Sequence, residues 1–399
     1  MDEPNRDRAS DDRSFLVDRM AGFGTTIFAE MSALATETGS INLGQGFPDT
    51  DGPDEIIQAA VDAMWAGHNQ YPPGPGIPEL RTAVSDHQAR YYGITLDPDT
   101  DVLVTTGATE GVASAVMALA GPGDEVVMFE PYFDSYAAVV ALSGATRRVV
   151  RLSPPDYRFD AAAFEAAFSP RTRVVLFNSP HNPTGKVFDR AELEAIAEIC
   201  IRRDVLVATD EVYEHLAFDG QPHIPLSTLP GMAQRTVSVS SAGKTFSLTG
   251  WKIGWVTGPA DLVTAARTVK QFLTYVSGAP LQHGIATALG LPDEVISGLR
   301  AALQSKRDRL CNGLESAGFD VFRPQGTYFV LADISPLGAT DGLEFCRQLP
   351  KRAGVVAIPN QVFYDDASGG RTLVRFAFCK RDEVIDEAVV RLGKLGGWW

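Results

Sequence analysis

Between Asp101 and Val256 short β-rich runs alternate with helical patterns, and this alternation limits the possible folds more than any other feature of the chain. A strand followed by a helix cannot pair with its successor as a hairpin, so such units stack as βαβ crossovers around a mostly parallel sheet. Strands are expected at Val102–Thr105, Glu125–Phe129, Arg147–Arg151, Val174–Phe177, Val205–Thr209, Thr236–Ser240 and Gly254–Thr257, with helices such as Glu110–Leu119 and Arg190–Cys200 between them. The fold class is therefore α/β, with a large domain around a mostly parallel seven-stranded sheet. Val295, Leu299, Ala302, Leu303, Leu310 and Leu314 recur at helical spacing, which predicts a long connecting helix over Pro292–Ser316. Beyond it, Gly326–Leu331, Val355–Ile358 and Leu373–Phe378 read as strands and Asp382–Leu395 as a closing amphipathic helix, a smaller α+β domain. The expected division is a disordered lead over 1–13, an N-terminal arm with part of the small domain over 14–50, the large domain over 51–295 and the small domain over 296–399.

Composition narrows the function. A chain of 399 residues that is 45% hydrophobic and 21% charged is an ordinary globular protein. Its net charge of −15 opposes attraction to nucleic acid and to anionic membrane surfaces, so neither is an expected partner. No run approaches the roughly 18 to 20 apolar residues needed to span a bilayer. Met1–Arg13 mixes Asp, Glu and Arg without an apolar run, unlike a signal peptide or an anchor. Cys200, Cys311, Cys346 and Cys379 are scattered without CxxC or Cys/His spacing, so no disulfide framework and no metal site is expected, and a reducing cytoplasm is the expected compartment.

In a parallel α/β sheet the ligand sits beyond the carboxyl ends of the strands, where loops and helix N-termini gather. After the first strand comes Thr106-Gly-Ala-Thr-Glu110, a small-residue turn opening a helix, whose free N–H groups and dipole favour a phosphate. After Val174–Phe177, Asn182 stands in the turn His181-Asn-Pro-Thr-Gly185; on its own this reads equally as an Asx turn. Asp210 and Tyr213 follow the next strand, where an N-cap aspartate and a core tyrosine are the plainer roles. After Thr236–Ser240 comes Ser241-Ala-Gly-Lys244-Thr-Phe-Ser-Leu-Thr-Gly-Trp-Lys252. Most lysines are solvated surface charges. Lys244 sits instead among small residues ahead of Phe246, Leu248 and Trp251, where loss of solvent lowers an amine's pKa and readies it for imine chemistry. A lysine, an acid, an anion cradle and hydrogen-bond donors are together the parts that pyridoxal 5′-phosphate (PLP) asks of a protein.

The residues resemble those of the fold type I, class I/II PLP-dependent aminotransferases, in particular the kynurenine aminotransferase and actinobacterial-type N-succinyldiaminopimelate aminotransferase branches. The matching runs are Ile41-Asn-Leu-Gly-Gln-Gly-Phe-Pro-Asp49, Asn69-Gln-Tyr71, Glu130-Pro-Tyr-Phe-Asp134, His181-Asn-Pro-Thr-Gly185, Thr209-Asp-Glu-Val-Tyr213, Ser241-Ala-Gly-Lys244, Gly250-Trp-Lys-Ile-Gly-Trp255 and Val374-Arg-Phe376. The resemblance implies Lys244 as the Schiff-base lysine, Asp210 at the pyridine nitrogen, Asn182 and Tyr213 at the ring oxygen and Phe133 on the ring face. It places the phosphate on Ala108, Thr109, Ser241 and Lys252, with Tyr71 reaching in from the second subunit of a homodimer that shares its active sites. Thr109 departs from the pattern, because many relatives have an aromatic there.

Arg375, in the apolar strand Leu-Val-Arg-Phe-Ala-Phe, needs an anionic partner, either a local aspartate or a ligand. The resemblance implies the substrate α-carboxylate as that partner, with Gly46 and Asn182 beside it and Phe28, Tyr275 and Phe363 around the side-chain pocket. The expected reaction moves an amino group from a neutral or aromatic L-amino acid, kynurenine- or methionine-like, or from N-succinyl-LL-diaminopimelate, to a 2-oxo acid such as 2-oxoglutarate. From Gln271 to His283 no basic residue is available before His283 to read a short acidic side chain. A PLP-dependent cysteine-conjugate β-lyase, or a decarboxylase or other biosynthetic PLP enzyme on the same scaffold, is the main alternative, since fold does not settle reaction type. A P-loop nucleotidase is excluded because Ser238 stands where Gly243-Lys244-Thr245 would need an upstream glycine. An effector-binding module without catalysis would carry an upstream winged helix, for which residues 1–13 leave no room.

Overall fold

The computed structural model describes residues 15–397, so the lead expected over 1–13 lies outside the described residues. Seven strands form the large sheet in the order Val102–Thr106, Ile253–Thr257, Thr236–Ser241, Leu206–Asp210, Thr172–Asn178, Glu125–Glu130, Thr146–Arg151. The five from Thr236–Ser241 to Thr146–Arg151 run parallel, and Ile253–Thr257 runs antiparallel to both its neighbours. The central strands are buried along their length, which is why they read as continuous apolar runs rather than alternating ones. Reversing one strand has a direct consequence for the site. The start of Ile253–Thr257 meets the ends of its neighbours, pairing Gly254 with Ser241 and Ile253 with Thr106, so Lys252 joins the loops at the carboxyl edge.

A four-stranded antiparallel sheet, ordered Ile358–Pro359, Leu373–Ala377, Phe329–Asp333, Asp320–Phe322, packs with the 24-residue helix Asp293–Ser316 and the closing helix Asp382–Leu392. The arm helix Ile27–Thr38 is capped by the Thr26 side chain at its start and by left-handed Gly39 at its end. After it Ile41–Asn42 pairs with Val355–Val356. Three details depart from the sequence reading. Gly326 bridges to Ala217 and Thr327 takes a left-handed conformation, so the strand expected from Gly326 begins at Phe329. The run Val355–Ile358 divides between two sheets. Asp320–Phe322 is too short for its periodicity to show. We propose boundaries near residues 50 and 296 between the two domains; in support, one core gathers Met31, Leu43, Leu314, Phe345, Phe376 and Leu392 while the large sheet carries its own.

Candidate active site

Adjacent strand ends set the floor of the site. Asn178 and Asp210 are register partners, and the Asn178 side chain donates to the Asp210 carbonyl at 2.7 Å while its oxygen accepts from the Asn182 amide at 2.7 Å. The buried Asp210 carboxylate accepts from the Tyr136 hydroxyl at 2.6 Å and from the Val212 amide at 3.3 Å. Burial pushes its pKa up, against the opposing pull of those hydrogen bonds and of Lys244. Such an acid is best satisfied by a cation seated against it.

Lys244 sits in the short helix Ala242–Thr245, on the wall of a cavity of about 400 Å³ that also meets Phe28, Phe133, Asn182, Asp210, Tyr213 and Arg375. Its Nζ donates to the Tyr328 hydroxyl at 3.0 Å, and that hydroxyl donates to the Gly46 carbonyl at 2.5 Å. Tyr213 meets Tyr328 edge-on at 5.3 Å. A Cβ at position 46 would come within 2.4 Å of the Phe329 ring, so only glycine allows this approach. Desolvation lowers the Lys244 pKa to about 8, with Lys252 and Arg375 adding to the effect while Cys379 and Asp210 oppose it. A lowered amine pKa means the nucleophilic form is gained as pH rises through about 8, well before an ordinary lysine at 10.5. In the cofactor-free protein, acylation of Lys244 followed by peptide mapping should therefore reach half its plateau rate near pH 8 and fall to about a tenth of the plateau one unit below. A midpoint near that of the surface lysines would remove the basis for singling it out.

Next to Lys244 lies a smaller cavity of about 80 Å³, bounded by Gly107, Ala108, Thr109, Ser241 and Lys252. The 13-residue helix Gly107–Leu119 points its N-terminus there, and Lys252 takes a left-handed conformation that sets its chain against Gly107. Position 254 must be glycine, because a Cβ would fall 2.7 Å from the Gly107 carbonyl carbon. Free amides, hydroxyls and an ammonium group around so small a space make an anion cradle.

Arg375 occupies the far wall, 1% exposed. It donates to Asn182 Oδ1 at 3.1 Å and to the Gly44 carbonyl at 3.3 Å, and its Nε has no partner. Among the described residues no carboxylate lies within ion-pair distance of it. Asp134, on the same cavity, is the aspartate that attracts this arginine electrostatically, but it forms no ion pair with it. Its guanidinium rests on the Phe329 ring at 3.9 Å, with Phe363 and Phe28 at 5.1 and 5.2 Å, and burial drops its pKa to about 10. A buried cation with a free donor is built to receive an anion.

The residues singled out from sequence do not all arrive at the cavity. Lys244, Asp210, Asn182, Tyr213, Phe133, Ala108, Thr109, Gly46, Phe28 and Arg375 line it, while Ser241 and Lys252 line the cradle. Phe363 lies behind them, wholly buried against Phe28. Tyr275, expected around the side-chain pocket, stands instead on the surface at 51% exposed, edge-on to Tyr71 at 5.6 Å, and Tyr71 is 82% exposed. Tyr136, Tyr328, Phe329 and Asp134 were missed. Tyrosines in apolar stretches look like core, and only the tertiary contacts reveal Tyr136 and Tyr328 as partners of Asp210 and Lys244.

Comparison with known proteins agrees with this geometry. Residues 38–392 match the family Aminotransferase class I and II. The chain is 52% identical over 389 residues to the probable N-succinyldiaminopimelate aminotransferase of Mycobacterium tuberculosis, covering 95% of this chain and 98% of that one. The solved structure of the M. tuberculosis N-succinyldiaminopimelate aminotransferase superposes with a TM-score of 0.94 over 95% of this chain and 100% of that one, at 52% identity. This chain is also 40% identical over 377 residues to the methionine aminotransferase of Escherichia coli, covering 94% and 97% of the two chains, and 38% identical over 403 residues to kynurenine–oxoglutarate transaminase 3 of mouse, covering 93% and 88%. With its lysine, acid and arginine on one cavity and the anion cradle adjoining it, the chain belongs to the class I and II aminotransferases.

Proposed function

We propose that this aminotransferase holds PLP against Lys244 and Asp210 and passes an amino group from a neutral or aromatic L-amino acid, or from N-succinyl-LL-diaminopimelate, to a 2-oxo acid such as 2-oxoglutarate. The observation that carries the reading is the position of Lys244, which lines both the anion cradle and the larger cavity across from an unpaired buried arginine. The donor set fits the cofactor: the cradle suits its phosphate, Asp210 a cationic ring nitrogen, Asn182 and Tyr213 the ring oxygen and Phe133 a ring face. When bound, PLP supplies the carbonyl that exchanges the amino group and a ring that withdraws electrons. Lys244 Nζ is then the group that takes and returns the substrate α-proton, and Tyr328 fixes where that nitrogen points. Arg375 orients the α-carboxylate with its free Nε and with the edge it shares with Asn182. Four buried free cysteines, and the lack among the described residues of a helix long and apolar enough to cross a membrane, support a cytoplasmic setting.

Among the described residues, the only basic side chains on the larger cavity are Lys244 and Arg375, so these residues offer a distal carboxylate near the reacting centre no further cation. An aromatic or thioether side chain gains about 1.5 to 3 kcal/mol from burial instead. The relatives named above act on N-succinyldiaminopimelate, methionine and kynurenine, which fits this preference. Values of kcat/KM across aspartate, methionine, kynurenine and N-succinyl-LL-diaminopimelate should place aspartate last by at least about tenfold, because an unpaired buried carboxylate costs several kcal/mol. Aspartate at the top of that series would reveal an unseen cation and defeat the reading.

The same proposal includes a homodimer with shared sites. Phe272 and Tyr71, both 82% exposed, stand with Tyr275 as an aromatic surface that a second copy would cover. Mixed Tyr71→Phe and Lys244→Ala subunits should regain activity toward about a quarter of wild type, because half the dimers then hold one intact site of two. Mixtures no more active than the parent variants would show that Tyr71 does not serve the partner.

A further inference from the structure

We propose that His87, Glu214 and His215 form a site for a divalent transition-metal ion of the zinc class, set behind the turn that carries Asp210 and Tyr213. His87 comes from the helix Pro78–Tyr92, and Glu214 and His215 directly follow Tyr213. Their ligand atoms all lie within 4.8 Å of one another, and among the described residues this is the one such group. All three are buried, at 2%, 5% and 6% exposed.

One observation points to a missing occupant, and a second shows ligand atoms converging on one point. Glu214 Oε1 accepts from the Ser240 hydroxyl at 2.5 Å, but Oε2 is buried without a partner. The Tyr92 hydroxyl faces this carboxylate. An unsatisfied buried carboxylate oxygen is costly, and a metal ion would satisfy it. The two imidazoles, meanwhile, turn Nε2 toward Nε2 at 2.7 Å with their rings at 82°. Without an ion, one ring donates its Nε2–H to the other.

Metal binding to this set is balanced in atoms and charge. The shared proton moves from Nε2 to Nδ1 of the same ring, so no proton is lost, and both Nε2 lone pairs become free. If the proton resides on His87, its Nδ1 faces the Gln88 side-chain amide at 3.4 Å, whose oxygen accepts it once the amide turns. Metal–nitrogen bonds of about 2.0 to 2.1 Å in tetrahedral geometry require the two nitrogens to part by about 0.6 Å. Rotation of the rings supplies that. Two neutral imidazoles and one carboxylate leave a net charge of +1, with the Glu211 carboxylate close by, itself held by His223 Nε2 at 3.0 Å. Imidazole nitrogen with one carboxylate selects Zn²⁺, Co²⁺ or Ni²⁺ over the all-oxygen ions Mg²⁺ and Ca²⁺. An ion here would pin the helix Pro78–Tyr92 to the turn that positions Asp210 and Tyr213. Sequence spacing hides the site, because 128 residues separate the two histidines.

His68 and His283, whose rings lie 4.3 Å apart and tilted at 43°, are the competing pair and supply the control. Holoenzyme stripped with EDTA would be titrated with Zn²⁺ by calorimetry, and Zn²⁺-soaked crystals measured at the zinc absorption edge. One Zn²⁺ per chain is expected, with an anomalous peak between the two Nε2 atoms and a raised thermal midpoint. His87→Gln and Glu214→Gln should each weaken binding at least about 100-fold and cancel the thermal shift, while His68→Ala leaves both unchanged. Glu214→Gln keeps the side chain's size and its bond to Ser240, so it carries the test if His87→Gln does not fold. No stoichiometric Zn²⁺ in the wild type, a peak elsewhere, loss of binding in His68→Ala, or wild-type affinity in Glu214→Gln would each overturn the proposal.

Discussion

Lys244→Ala should lower kcat for transamination by at least about 10⁴-fold while leaving fold and cofactor retention intact, because covalent attachment and proton transfer both leave with one nitrogen. The structure shows why no neighbour replaces it. Lys252 bounds the cradle rather than the larger cavity, and Tyr213 and Tyr328, both buried, have pKa values raised above that of an ordinary phenol and are poor bases. Retention is expected because the cradle, Asp210 and Asn182 are untouched. Dialysis followed by cofactor absorbance checks retention, and single-turnover kinetics with a good amino donor checks the rate. A loss of less than about tenfold would mean that another base serves the α-carbon. Borohydride reduction of the wild type should place the cofactor's carbon on Lys244, and a label on Lys252 would require the two cavities to exchange roles.

Much of this site could be read from the sequence because it sits on strand ends. Buried parallel strands are short apolar runs punctuated by turn residues, and each of the seven was recovered to within two residues at either end. Once the strands are placed, Asn178, Asp210, Ser241 and Thr106 fall at their ends, and the loops that follow must converge. What stayed hidden depends on long-range closure. Tyr328 reaches Gly46 across 282 residues, and Tyr136 reaches Asp210 across 74, with nothing local to tell either from a core tyrosine. That Tyr275 lies outside this chain's own cavity was hidden for the same reason. A left-handed backbone at that residue turns its ring outward to Tyr71, and no periodicity reports such a turn.

Replacing Arg375 by leucine should separate function from stability, lowering kcat/KM by about 10² to 10⁴-fold while leaving the cofactor-free protein as stable or more so. The two effects share one cause. A guanidinium that is 1% exposed, keeps an unpartnered Nε and has its pKa drawn down to about 10 is a charge that two hydrogen bonds, three aromatic rings and the more distant Asp134 compensate only in part. Leucine removes that burden but leaves the substrate carboxylate buried without its fork. The conservative change is informative for the same reason. Arg375→Lys keeps the charge but loses the planar pair of donors that spans Asn182 and the ligand, so it should recover only a small part of kcat/KM. Binding of a dicarboxylate inhibitor should weaken in parallel in both variants, whereas an amine that lacks a carboxylate should react at the wild-type rate. Thermal midpoints of the cofactor-free proteins complete the test. Marked destabilisation of the leucine variant together with near-normal kcat/KM would show that Arg375 is satisfied within the chain and does not wait for a ligand.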